Sequence, residues 1–213
     1  MTAVDVVGWC AVAVGMVVGL PQLVRLARTR RVDGLSLTSW RSILAANLAW
    51  GAHGIRLEAV TMLVSNCVGL CTTVPILVLM ARRVRRSVIV LAIPSLLVAA
   101  AMTAVDHVLG SAAYGVTAIV LAVVSNLGQS TQLVRSPHVV GVSALFMTMA
   151  VLNQVMWTCW GLLARDPGTV MTAATVFGLT SFNLTWYVLR RRGLRAFFAL
   201  AVPVEPSAVE ASA

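Results

Sequence analysis

Long apolar stretches alternate with short arginine clusters along the whole chain, and this alternation constrains the fold more than any other feature. Crossing about 30 Å of hydrocarbon at about 1.5 Å per residue takes about 20 mainly apolar residues. Between charge clusters and turn residues, the pattern predicts seven helices, near 4–24, 38–55, 58–80, 87–105, 112–134, 142–163 and 168–189. Little remains beyond turns, so no separate soluble domain is expected. Composition agrees: 59% of the 213 residues are hydrophobic and 11% are charged. The mean hydropathy of +0.91 exceeds what a water-soluble core can absorb.

The formal net charge of +9 could suggest nucleic acid, but the placement of the basic residues argues against such a partner. All 16 are arginines, and all except Arg56 and Arg165 fall in alternate connections, at the start of the second helix or after the last one. Such asymmetry orients a protein in a bilayer, and it predicts an outer N-terminus and a cytoplasmic C-terminus in the cell membrane. The N-terminal stretch carries Asp5 and no basic segment, so no cleaved signal peptide is expected. Without lysine, a retinal Schiff base is excluded. Cys10, Cys67, Cys71 and Cys159 lie inside apolar segments without metal or redox spacing, and His53, His107 and His138 are scattered. No metal, cofactor or enzyme chemistry is expected.

The chain also repeats itself. QLVR occurs at Gln22–Arg25 and again at Gln132–Arg135. Gly34-Leu-Ser then aligns with Gly141-Val-Ser, Trp50 with Trp157 and Gly54 with Gly161, all 107 residues apart, and Gly69 meets Gly178 after a two-residue insertion. Three helices return the chain to the opposite side, so a second copy in the same orientation needs one helix between the two. The expected organisation is an all-α membrane protein of two parallel three-helix bundles. Residues 1–86 form the first repeat, 87–108 a linker helix and 109–195 the second repeat. Residues 196–213 are expected to form a disordered cytoplasmic tail.

Pro21-Gln22 near the end of helix 1, the basic loop after it, W-x-x-H-G at Trp50–Gly54 and N-x-x-G at Asn66–Gly69 resemble the PQ-loop superfamily. Within it they are most similar to the SWEET and SemiSWEET (MtN3/saliva) sugar transporters, over about residues 5–190. The resemblance implies parallel repeats. It also implies a substrate pocket at a tryptophan level of helices 2 and 6 and an asparagine level of helices 3 and 7.

Counting from the turns leads to the same level. Trp50 lies eight residues before Glu58 and Asn66 eight after it, while Trp157 and Thr175 each lie nine from Asp166. All four are thus expected near mid-bilayer, with Thr175 where the family pattern has a second asparagine. An indole face suits the C–H side of a pyranose, and a carboxamide matches a hydroxyl as donor and acceptor. The bland alternatives are an interfacial belt for the tryptophans and interhelical hydrogen bonding for Asn66. His53, its repeat partner Trp160, and the pair Asn47 and Gln154 are candidate pocket or gate residues. His53 is also a buried structural histidine on the simpler reading. Asn126, Asn153 and Asn183 are read as helix glue. Pro21, Gln22 and Gln132 mark a candidate hinge.

With no ionisable group expected deep in a span, uncoupled transport is the default. The expected function is facilitative passage of a small neutral solute, a mono- or disaccharide, by alternating access between the repeats. A PQ-loop carrier of amino acids or another metabolite, proton-linked or not, is one alternative, and a non-transporting receptor or assembly factor is another. Partners are the solute and the lipid bilayer, with homo-oligomerisation left open.

Overall fold

The computed structural model describes the backbone of residues 1–29, 37–135 and 144–197. It is an all-α membrane protein of seven helices among these residues. They are α1 (Ala3–Thr29), α2 (Leu37–Arg56), α3 (Val60–Arg83), α4 (88–109), α5 (111–135), α6 (Ala144–Ala164) and α7 (Pro167–Arg191). Val60–Arg83, Val88–Leu127 and Ala144–Ala164 are long and apolar enough to cross a membrane. Large apolar side chains such as Ile89, Leu97, Val108 and Leu109 of α4 stand fully outward, which in hydrocarbon is the solvated state.

Helices α4 and α5 abut within Val88–Arg135, and Gly110, at φ 82 and ψ 176, divides them. That conformation is open essentially to glycine alone, so a linker helix can reverse into the second repeat with no intervening loop. The α2–α3 and α6–α7 turns are built alike. Glu58 and Arg165 take left-handed φ values of 54 and 55. Ala59 N–H then donates to Gly54 O at 2.8 Å, and Asp166 N–H to Gly161 O at 2.9 Å. These Schellman closures satisfy carbonyls that a helix end would otherwise leave bare. Asp166 also caps α7 by accepting from Thr169 N–H, and Pro167 occupies the first helical position.

Within each unit the third helix lies between the other two: α3 touches α1 and α2, and α7 touches α5 and α6. Across the units α1 packs on α6, and α2 on α4 and α5. The crossings repeat residue for residue. A Cβ on Gly8 would lie 2.5 Å from Thr61 Oγ1, and one on Gly115 would lie 2.7 Å from Gly168 Cα. A Cβ on Gly54 would lie 3.1 Å from Leu63 N, and one on Gly161 would lie 3.0 Å from Val170 N. Each pair is related by the same 107-residue shift, as are Thr73 and Thr180, whose hydroxyls donate to Gly69 O and Val176 O at 2.9 Å.

Two expectations need correction. The last turn of α4 runs to residue 109, not 105, which places Asp106 inside the helix. Helix α1 continues past the expected end at 24, to Thr29, and its backbone is helical through Pro21 and Gln22. The side chains of Pro21, Gln22 and Gln132, the candidate hinge, lie outside the described residues, as do residues 198–213.

Since a Cβ on Gly168 would meet Ser111 O at 2.5 Å, Gly168→Ala should push α5 from α7 and destabilise the protein by about 1–3 kcal/mol. Gly178→Ala, with nothing within 4 Å, should be neutral or slightly stabilising. Thermal unfolding of both variants in detergent measures the difference.

Candidate functional site

A cavity of about 230 Å³ opens between the two units. Trp50 of α2 and Trp157 of α6 bound it, with Met62, Ser65 and Asn66 of α3 and Thr169, Thr172, Ala173 and Val176 of α7. Ala122 and Asn126 of α5 and Asn153 and Gln154 of α6 complete the wall. Among the described residues no ionisable side chain lines it. The lining pairs obey the 107-residue shift: Trp50 with Trp157, Met62 with Thr169, Ser65 with Thr172 and Asn66 with Ala173.

The polar lining is partly spent and partly free. Asn66 Nδ2 donates to Met62 O, Asn126 Nδ2 to Ala122 O and Asn153 Nδ2 to Ala11 O, each at 2.8 Å. Each carboxamide keeps its second N–H and its carbonyl oxygen for other partners. Thr169 Oγ1 is buried with no hydrogen-bond partner among the described residues. An unpaired buried hydroxyl costs about 1–3 kcal/mol, and a polar solute or water in the cavity would relieve that cost.

Trp50, Asn66 and Trp157, placed at one level by counting from the turns, line one cavity, and so does Gln154, the repeat partner of Asn47. Thr175 does not join them. Its half-buried side chain donates to Met171 O, one turn back on its own helix. The misplacement has two sources. Arg165, not Asp166, is the counterpart of Glu58 at the turn apex, and Gly178 is not the counterpart of Gly69. A Cβ on Gly69 would strike Asn47, whereas Gly178 has open space around it. Without the insertion, the partner of Asn66 is Ala173. Asn47 points away from the cavity and donates to Thr73 Oγ1 at 3.1 Å. Ser65, Thr169 and Thr172 were missed, although extending the ungapped shift would have paired them. Asn126 and Asn153, read as glue, do bond to backbone and line the cavity as well.

His53 and Trp160 are buried above the two cavity tryptophans, toward the turns. His53 Nδ1 lies 2.7 Å from Asp106 Oδ2, and Nε2 lies 3.1 Å from Asp166 Oδ2. Arg56 Nε donates to Asp106 Oδ2 at 2.7 Å. Ser111 Oγ donates to Asp166 Oδ1, and Thr169 N–H donates to Asp166 Oδ2 at 2.9 Å. Tyr114 stacks on His53 at 4.5 Å and 10°, and Trp50 meets both rings edge-on at 5.4 and 4.9 Å. Asp106, in the last turn of α4, and Asp166, at the cap of α7, lie at the turn end of the bundle and are nevertheless 2% and 3% exposed. Burial alone would raise the Asp166 carboxyl, but hydrogen bonds from His53, Ser111 and Thr169 hold it well below its ordinary 3.8.

Residues 3–57 match the family model of the PQ loop repeat, so the first two helices are similar to such a repeat and support the PQ-loop superfamily. No curated protein matches the chain.

A carboxyl depressed by folding contributes stability above its ordinary value and loses that contribution as pH falls toward its folded value. Wild-type protein should therefore melt at progressively lower temperature below about pH 4. Asp166→Asn should be less stable at neutral pH and show a flatter acid limb, as read from melts in detergent across that range.

Proposed function

We propose that this chain is a facilitative carrier of a small neutral solute, a mono- or disaccharide, that works by alternating access between its two three-helix units. The observation carrying this proposal is the uncharged cavity at the unit interface, walled by Trp50 and Trp157 and dressed with Asn66, Gln154 and the unpaired Thr169 hydroxyl. Indole faces offer apolar contact to the C–H side of a pyranose ring, and the amides and hydroxyls offer mixed donors and acceptors to its hydroxyls. The resemblance to SWEET and SemiSWEET transporters points the same way. An amino acid would bring a carboxylate and an ammonium into a cavity with no charge to meet either, at a heavy desolvation cost. A carrier of this kind needs no covalent chemistry, so the protein is not an enzyme on this reading.

The arginine distribution supports an orientation in the cell membrane with the α2–α3 and α6–α7 turns and the N-terminus outside, and the C-terminus in the cytoplasm. Rocking one unit against the other would expose the same cavity to either side in turn. Alanine in place of a second carboxamide at position 173 makes the site one-sided, with its stronger polar wall on α3, α5 and α6.

Purified protein in liposomes should equilibrate labelled glucose or sucrose. Asn66→Ala and Trp157→Ala should each cut that flux by about tenfold or more, the equivalent of one lost contact to a buried hydroxyl. Thr175→Val should stay within about twofold of wild type, its hydroxyl being committed to Met171 O. Failure of every mono- and disaccharide tried to equilibrate would sink the proposal.

A further inference from the structure

The cluster above the cavity has a property that neutral-solute transport does not require. Both ring nitrogens of His53 face carboxylate oxygens, at 2.7 Å and 3.1 Å, and both partners are buried. A neutral imidazole carries one N–H and must turn a lone pair toward one of the two carboxylates; only the doubly protonated ring donates to both. The other groups around it suit a cation. Tyr114 offers its ring face, and Arg56 is bonded to Asp106 from the far side. With His53 protonated, its charge and that of the partly exposed Arg56 balance the two buried carboxylates. Without that proton, a buried negative charge is left over.

The partners come from different parts of the molecule. His53 and Arg56 belong to α2 of the first unit, Asp106 to the linker helix α4 and Asp166 to the α6–α7 turn of the second unit. Parting the units at the turn end must therefore pull His53 from Asp166. The pseudo-twofold provides this contact once only. By the 107-residue shift, Trp160 stands for His53, and Ala59 for Asp166.

We propose that the His53–Asp106–Asp166 cluster is a proton-binding site, and that the bound proton latches the two units together at the turn end of the bundle. Closing that end takes up a proton and opening releases it, so acid on that side holds the protein closed. This rests on the carrier reading for its effect on flux but not for its effect on access to the cavity.

The two are tested separately. A single cysteine at Ser65, in a background with Cys10, Cys67, Cys71 and Cys159 replaced by alanine, is labelled from the turn side with a membrane-impermeant thiol reagent. Its rate is normalised to a cysteine at Thr2, exposed at the N-terminus on the same side, which corrects for thiol ionisation. The normalised rate should fall by about tenfold between about pH 8 and about pH 5.5, the range in which a histidine titrates. His53→Gln and Asp166→Asn should each abolish that dependence. A flat profile in the otherwise wild-type protein, or an unchanged slope in both variants, would overturn the latch. Sugar flux that persists with flat labelling leaves the carrier standing without a latch. Acid-sensitive labelling without flux of any sugar leaves the latch and removes the carrier.

Discussion

Helices in hydrocarbon gain nothing by hiding apolar surface from one another, because lipid chains are as apolar as leucine. The association of this bundle therefore depends on places where backbones come close enough for dispersion to act. Among the described residues these include Gly8 and Gly54 around α3, and Gly115 and Gly161 around α7. A side chain at any of the four would meet atoms of the neighbouring helix at about 3 Å or less. These contacts make α3 and α7 the central stave of each unit. They also fix the register by which Trp50 stands over Asn66 and Trp157 over Ala173.

Much of this was legible in the sequence because hydrophobic length and arginine placement are direct consequences of the bilayer. All seven helices fall within a few residues of where the apolar runs put them, apart from the extra turns at the ends of α1 and α4. Trp50, Trp157 and Asn66 were legible for a similar reason: turn apex and helical rise together set depth, while Gln154 was singled out only as the repeat partner of Asn47. Thr175 failed because a shared glycine was given the weight of an anchor. Gly69 is small to make room for Asn47, while Gly178 faces open space, so two identical letters answer different needs. Letters alone carry no record of which neighbour a residue accommodates.

The buried ion cluster was illegible for a different reason. An aspartate at the end of an apolar run reads as a helix boundary, and Asp106 was placed there. Its burial follows from contacts with His53 and Arg56, 53 and 50 residues away in the chain, which no local pattern announces. Asp166 was equally ambiguous, because capping α7 and accepting from His53 are roles for the same carboxylate. Once both are seen together, the start of α7 and the seam between the units become one structure. The residue that begins the last helix also holds the two halves in contact.

Trp50 and Tyr114 form an aromatic layer between the cavity and His53, while Thr169 joins the two directly, lining the cavity and donating its N–H to Asp166, and that proximity ties their electrostatics together. In a medium of low dielectric, an unbalanced charge a few ångströms away would dominate a pocket lined only by amides and hydroxyls, and would order water or cations there in place of a neutral solute. With His53 doubly protonated, the four charges above the layer cancel, and the pocket feels only their short-range dipoles. The neutrality of the cavity is thus a property of the cluster as much as of its own lining. Trp160, in the place of His53, needs no such balance, because Ala59 stands at the counterpart of Asp166. One unit carries the histidine of the contact and the other its pairing carboxylate, while the counterpart seam sets Trp160 beside a surface pocket with Asp5 and Glu58. The broken symmetry is what allows a molecule built from two nearly equal halves to have one closed end governed by charge.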